Sequence, residues 1–317
     1  MATVVFIESS DNQIKKTSLE AVTYASKIGS DVIGVALGSS HDEGQLKSLG
    51  GYGASEVIFD GSSVFDSGDA GVTADVLKEI MGQKGADTFV FATSPFGSVV
   101  AGRLAAKLSA AIVTNVVDLP DTSSGYVLKR SIFTGKAFQD VSVTTFHKII
   151  GIKKNVVEVS GSGAEAPISP LSLAAPDSSK MTVTGTDKVE GDVLLPEAER
   201  VVSAGRGLKG PENWGMIEDL AKLLGAATAC SKPVSDMDWR PHHEHVGQTG
   251  LKIAPQLYIA IGISGAIQHL AGVNSSKVIV VVNKDPEAPF FKEADYGVVG
   301  DAFEVIPKLI EALKSSN

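Results

Sequence analysis

Short apolar runs alternate with amphipathic stretches along the first third of this chain. Thr3–Ile7, Val32–Leu37, Glu56–Phe59 and Thr88–Ala92 are apolar and rich in β-branched residues, the pattern of strands buried on both faces. Between them, Gln13–Ile28 sets Leu19, Val22, Ala25 and Ile28 on one helical face. Val72–Met81 reads as a second helix, and Ser98–Ser109 as a small-residue helix that can pack close to a sheet. This rhythm predicts a mostly parallel sheet with helices on both faces.

The pattern changes near Ile112. From there to Val159 the chain is rich in Val, Ile, Thr and Phe, with turn signals at Ser123–Gly125 and Gly135. It predicts several strands and no long helix, extending or edging the first sheet. Gly161–Ser179 is dense in Gly, Ser, Ala and Pro and reads as a connection. An extended piece, Met181–Thr186, leads to Val189–Leu195. The boundary falls at about 190–197, giving domains of residues 1–190 and 191–317.

The α/β pattern then restarts. Arg200–Ser203 is a short strand, followed by GRGLKG and a helix over Trp214–Leu224. Ala226–Cys230, Tyr258–Ile263 and Val278–Val282 are further strands, and a helix over Phe303–Leu313 closes the chain. The fold class is α/β in two domains, each a mostly parallel sheet flanked by helices, the second doubly wound.

Composition narrows the function. A chain of 317 residues is comfortable for two cores, and 43% hydrophobic with 21% charged residues is ordinary for a globular protein. The net charge of −9 removes the electrostatic footprint of a nucleic-acid binder. A single cysteine, Cys230, allows no intrachain disulfide and suits a reducing compartment. MATVVFIESSDN does not read as a signal peptide, and the apolar stretch Leu257–Ile267 falls short of the roughly 20 residues of a membrane helix, so no direct membrane insertion is expected. The expected compartment is the cytoplasm of a bacterium, or the mitochondrial matrix of a eukaryote after loss of a transit peptide.

The chemistry sits in polar islands at the ends of the later strands, where open α/β sheets bind ligands. GRGLKG, residues 205–210, has the form G-x-G-x-x-G after a strand. The acidic residue that should hold a ribose about 20 positions on is replaced by Cys230-Ser231-Lys232, which disfavours NAD. Alternatively Arg206 neutralises a phosphate, or the segment is only a tight turn. Ser231 and Lys232 follow the next strand; Lys232 sets a positive charge on the ligand side or is a solvated lysine before Pro233. Gln248 and Thr249, between Gly247 and Gly250, form a polar tip that suits the edge of a flat heterocycle or is an ordinary turn. In ISGAIQHLAG, Ser264, Gly265 and Ala266 open a helix suited to a pyrophosphate, and Gln268 and His269 follow one turn in. His269 could stabilise negative charge on a reduced ring or be a satisfied core histidine. Asn283 and Asp301 stand at or beyond strand ends and could read adenine and ribose, or serve turns. His242, His243 and His245 form the histidine cluster, with Cys230 and Asp238 as possible partner ligands, but a metal site also needs a second shell and the segment reads as a loop, so no metal is expected. No hydrolase elbow, zinc-protease or Walker motif is present.

Taken together, GRGLKGPENW, CSKPVSD, VGQTG, LYIAIGISGAIQHLAG and VNKDPEAPFFKEADYG closely resemble the α subunit of electron-transfer flavoproteins. The resemblance is strongest from Val246 to Gly297 and least diagnostic in the first domain. It implies one FAD, held by the C-terminal domain of an αβ heterodimer whose first domain packs against the β subunit. It places Arg206 near the flavin nucleotide, Ser231 in a Ser-Arg pair, and Gln248 and Thr249 at the flavin ring, Thr249 near N5. Ser264, Gly265, Ala266 and Gln268 would form the pyrophosphate turn, His269 would lie near the flavin C2 carbonyl, and Asn283 and Asp301 at the adenosine end. Lys232 stands where many members have arginine, which keeps the charge and loses the planar fork. Lys232, Thr249 and His269 would then tune the redox behaviour of an electron carrier rather than catalyse a reaction of its own. Electrons would come from flavoprotein dehydrogenases such as acyl-CoA dehydrogenases and pass to a membrane quinone oxidoreductase. Two other readings stand beside this one: an oxidoreductase binding NADP at GRGLKG, and a non-redox nucleotide-binding regulatory module.

Overall fold

The computed structural model describes residues 2–29, 31–173, 181–185 and 195–316. The chain forms two compact units, Met1–Thr186 and Asp187–Asn317. Most of the 190–197 boundary region lies outside the described residues.

The first unit is built on a nine-stranded sheet. Its strands are β1 (Thr3–Ile7), β2 (Val32–Leu37), β3 (Glu56–Asp60), β4 (Thr88–Ala92), β5 (Ala111–Val116), β6 (Val127–Ile132), β7 (Ala137–Ser142), β8 (Lys148–Ile152) and β9 (Ile168–Pro170). Their order is β9-β3-β2-β1-β4-β8-β5-β6-β7. Only β5–β6 and β6–β7 pair antiparallel. Its longer helices are α1 (Lys16–Ile28), α2 (Ala70–Lys84) and α3 (Pro95–Leu108), with a five-residue helix at Glu43–Lys47. Asp69 caps α2 and Ser94 caps α3, each accepting a first-turn backbone N–H, and Pro95 opens α3 where its missing N–H costs nothing.

Two expectations for this unit change. The strands after Ile112 do not all edge the sheet: β8 inserts between β4 and β5. Its run Ile149–Ile152 is almost fully buried, as an interior parallel strand must be. The Gly/Pro-rich segment read as pure connection carries β9, which adds to the outer edge of β3.

The second unit has a five-stranded, wholly parallel sheet: β10 (Arg200–Ala204), β11 (Ala227–Cys230), β12 (Leu257–Ile261), β13 (Val278–Asn283) and β14 (Tyr296–Val299). The order is β11-β10-β12-β13-β14. Successive residues of β12 face opposite sides, as the pleat demands. Tyr258 and Ala260 join an apolar layer with Val246, Val273 and Phe290. Ile259 and Ile261 join another with Ile217, Leu220 and Ile306. The first layer includes α6 (Ile267–Val273); the second is covered by α4 (Gly215–Leu224) and α7 (Ala302–Ser316). A fully buried side chain of this kind contributes about 1.5–3 kcal/mol relative to an exposed one. Among the described residues no helix is long and apolar enough to cross a membrane.

Candidate functional site

The carboxyl ends of β10, β11, β12 and β13 open onto a cleft of about 1050 Å³. The chain leaves β10 for β11 on one side and later returns to β12 on the other, so the cleft lies at a topological switch point. Its volume reaches the top of the roughly 300–1,000 Å³ range of small-molecule pockets, room for a dinucleotide. Arg206, Ser231, Lys232, Gln248, Thr249, Ser264, Ala266, Gln268, His269 and Asn283 line it. Gly265 and Asp301 do not.

The turn after β10 explains GRGLKG. The Gly207 N–H donates to the Gly262 carbonyl at 3.1 Å, and a Cβ on Gly207 would stand 2.6 Å from the Gly262 Cα. Gly262 has φ +60°, the left-handed region that favours glycine. The glycines therefore serve a backbone-to-backbone crossing between the β10 and β12 exits. In a dinucleotide fingerprint the motif opens the helix; here a short 3-10 turn over Pro211–Asn213 intervenes and α4 begins only at Gly215. Arg206 is exposed at the cleft and makes no ion pair with the described residues.

After β11, the expected turn at Pro233 is instead a short helix, α5 (Lys232–Asp236), with proline in its first turn. Lys232 Nζ pairs with Asp236 Oδ1 at 2.8 Å, both side chains about half exposed. The hydrogen bond from Lys232 holds the Asp236 carboxyl below the ordinary range. Ser231 is buried on the cleft wall. His245, which the sequence reading considered only as a metal ligand, also lines the cleft; burial, then the nearby Lys232 charge, pushes its imidazole pKa down. Among the described residues no group of three or more His, Cys, Asp or Glu side chains is placed to hold a metal. The Gln248 N–H donates to the Gln268 carbonyl at 2.7 Å, tying the 247–250 tip to α6 and leaving the Gln248 and Thr249 side chains exposed.

The β12 exit is fixed by close packing. Gly265 has φ +82°, and a Cβ there would meet Phe290 backbone atoms at 2.5 Å. Phe290 N–H donates to the Ser264 carbonyl at 3.1 Å, which holds the neighbouring loop against this turn. Gly265 thus shapes the turn from behind. The helix begins at Ile267 rather than directly at Ser264, with Ala266 as its N-cap and no side-chain cap. His269 is buried, with Nε2 2.8 Å from the Tyr258 hydroxyl and Nδ1 unpaired. Burial and the charge of His245 push its pKa down to about 4, so the ring is neutral at pH 7; the nearby Val246 backbone opposes the shift.

Two candidates play other parts. Asn283 donates from Nδ2 to the Ile263 carbonyl at 3.0 Å and accepts the Asp285 N–H at 3.0 Å, so its amide is spent on the loops flanking the cleft. Asp301 lies outside the cleft and accepts the Phe303 N–H at 2.9 Å at the start of α7. Conversely, Asp236 and Tyr258 carried no site signal in the sequence, and His245 carried only that of a metal ligand. Asp236 was visible as an i,i+4 partner of Lys232 only if that segment is read as helical. Tyr258 hides inside an apolar strand.

Residues 3–176 match the family model "Electron transfer flavoprotein domain" and residues 194–274 match "Electron transfer flavoprotein FAD-binding domain". The chain is 35% identical to the electron transfer flavoprotein subunit alpha of Bacillus subtilis (strain 168), over 99% of this chain and 98% of that one. It is 37% identical to that of Syntrophomonas wolfei, over 98% and 99%. The Paracoccus denitrificans subunit is 43% identical over 65% of this chain and 66% of its own.

Proposed function

This chain belongs to the electron transfer flavoprotein α-subunit family and carries its FAD-binding domain, and from that premise we propose that the cleft at the switch point holds FAD and that the protein works as an electron carrier. Membership as subunit α implies a second subunit, β. The residues present fit the cofactor. The observation that carries the reading is the donor set: Arg206, which pairs with no carboxylate among the described residues, a lysine, and a neutral buried histidine whose Nδ1 makes no hydrogen bond, with no nucleophile–base pair among the residues lining the cleft.

When bound, FAD supplies one- and two-electron chemistry, which the protein tunes through the charge and hydrogen bonds it presents. This chain's residues bind and orient. Arg206 offers its guanidinium to a phosphate. The Ser264–Ala266 turn, kept open by Gly265, leads into the unpaired N–H groups at the start of α6. Gln248 and Thr249 offer an amide and a hydroxyl from the tip beside His269. Lys232 places positive charge at the cleft, partly offset by Asp236. Asn283 acts by fixing the loops, and Asp301 by capping α7.

The finer role follows from the family resemblance: electrons enter from flavoprotein dehydrogenases such as acyl-CoA dehydrogenases and leave to a membrane quinone oxidoreductase, with the first unit packing against the β subunit. The relatives named are bacterial, and the cytoplasm is the proposed compartment. The test mixes the αβ complex with a substrate-reduced acyl-CoA dehydrogenase and follows flavin absorbance, then adds the quinone oxidoreductase. Bleaching followed by recovery supports the role. A complex that takes electrons only from NADPH would replace it.

A further inference from the structure

His269 is buried on the cleft wall, and its Nε2 lies 2.8 Å from the Tyr258 hydroxyl. Such a bond runs one of two ways. Either the phenol donates to a bare Nε2, or an Nε2–H donates to the phenol oxygen. The second arrangement strands the phenol proton. The other hydroxyl that bears on Tyr258 is Ser203 on β10, and its buried Oγ makes no hydrogen bond in this geometry. A buried O–H without an acceptor is costlier than an oxygen with an unused lone pair, because the donor's only hydrogen bond is lost. The phenol therefore donates and Nε2 accepts.

A neutral imidazole carries one proton, so here it sits on Nδ1, which is buried and unpaired. Burial keeps both groups in these forms: it lowers the His269 pKa to about 4 and raises that of the Tyr258 phenol. Ring packing fixes the orientation. Phe290 meets His269 edge-on at 5.7 Å and lies 6.3 Å from Tyr258, while its own backbone is pinned against Ser264 and Gly265. Without Tyr258 the remaining pull on an Nδ1 proton is the nearby Val246 backbone, which makes no full hydrogen bond to it, and an imidazole in water favours the Nε2-protonated form.

We infer that Tyr258 is a positioning residue that locks His269 in its Nδ1-protonated tautomer and so keeps an unspent N–H donor available to an acceptor bound in the cleft. The lock is a property of the chain alone; calling the acceptor FAD rests on the reading above.

The test uses the αβ complex with nitrogen-15-labelled histidine in this chain. Long-range proton–nitrogen correlation spectra are compared for wild type, Tyr258→Phe and Ser203→Ala, with His269→Gln assigning the signal. Wild type and Ser203→Ala should show Nδ1-protonated, Nε2-bare His269. In Tyr258→Phe the Nε2-protonated form should gain at least tenfold. The affinity for reduced relative to oxidised FAD should fall by about tenfold, ~59 mV for a one-electron step. An Nε2-protonated His269 in wild type overturns the lock, and so does an unchanged tautomer in Tyr258→Phe. Should that variant fail to fold, the wild-type spectrum decides. A colourless complex whose His269 is still Nδ1-protonated refutes the FAD reading and leaves the lock standing.

Discussion

Arg240 should be worth far more to the second unit than its surface position suggests. Its Nε and Nη2 grip both oxygens of Glu244 at 2.9 and 2.6 Å, its Nη1 reaches Glu218 on α4 at 2.8 Å, and its guanidinium lies 5.5 Å from the Trp214 ring. Glu244 is only 10% exposed and Arg240 22%, so deleting the arginine strands a carboxylate in a poorly solvated place. Breaking a buried pair from one side costs about 3–5 kcal/mol, and the residual exposure of Arg240 places this case at the lower end, about 3. The Glu218 arm, half exposed, adds at most about 0.5 kcal/mol. Ring stacking adds about 0.5–1. Arg240→Ala should therefore cost ~3.5–4.5 kcal/mol. Removing the stranded charge as well, with Glu244→Gln, should recover at least about 1 kcal/mol, a coupling expected of residues in direct contact. Both tryptophans, Trp214 and Trp239, belong to this unit, so urea unfolding followed by tryptophan fluorescence reads it directly. A cost below about 1 kcal/mol for Arg240→Ala, or a double variant no more stable than the single, would mean that Glu244 is not left as a stranded buried charge.

Other outcomes follow from the same geometry. Gly265→Ala forces a Cβ into the Phe290 backbone at positive φ, so it should destabilise the unit by about 2–4 kcal/mol and weaken FAD binding, checked by urea melts and flavin titration. His269 has a folded pKa near 4 against 6.5 when free, so the unfolded chain binds the extra proton; its contribution is complete above about pH 6.5 and lost as the pH falls to about 4. The total is about 3 kcal/mol, and stability measured across that window should lose this slope in His269→Gln. The Lys232–Asp236 pair is solvent-screened, so Lys232→Ala should move stability by no more than about 0.5 kcal/mol while lowering the flavin potential; a large melting change with an unmoved potential would reverse its assignment.

Much of this architecture was legible because burial writes itself into the sequence. Thr3–Ile7, Val32–Leu37 and Thr88–Ala92 are strands at the predicted bounds, since a two-sided buried strand needs an unbroken apolar run. Strand β14 gave no such signal: Tyr296–Val299 is an exposed edge. The insertion of β8 between β4 and β5 is a pairing across distant segments, which local periodicity does not encode. At the site, strand-end position was enough to gather Ser231, Lys232, Gln248 and Ser264 to one cleft. It could not tell which polar groups were already spent. Asn283 holds two loops, Asp301 caps a helix, and the glycines of GRGLKG allow backbones to cross. Those roles are set by neighbours far away in sequence. The same is true of Tyr258, whose hydroxyl matters only because α6 brings His269 over it.

Every cofactor-binding role assigned above depends on FAD occupying this cleft. The most direct measurement is the visible absorption spectrum of the purified αβ complex, with the released cofactor identified after denaturation and counted per complex. Flavin bands are expected, with one FAD per complex and loss of most of that FAD in a double Arg206→Ala, Gly265→Ala variant. A colourless complex that stays colourless after incubation with FAD, or one that retains FAD undiminished in that variant, would contradict it.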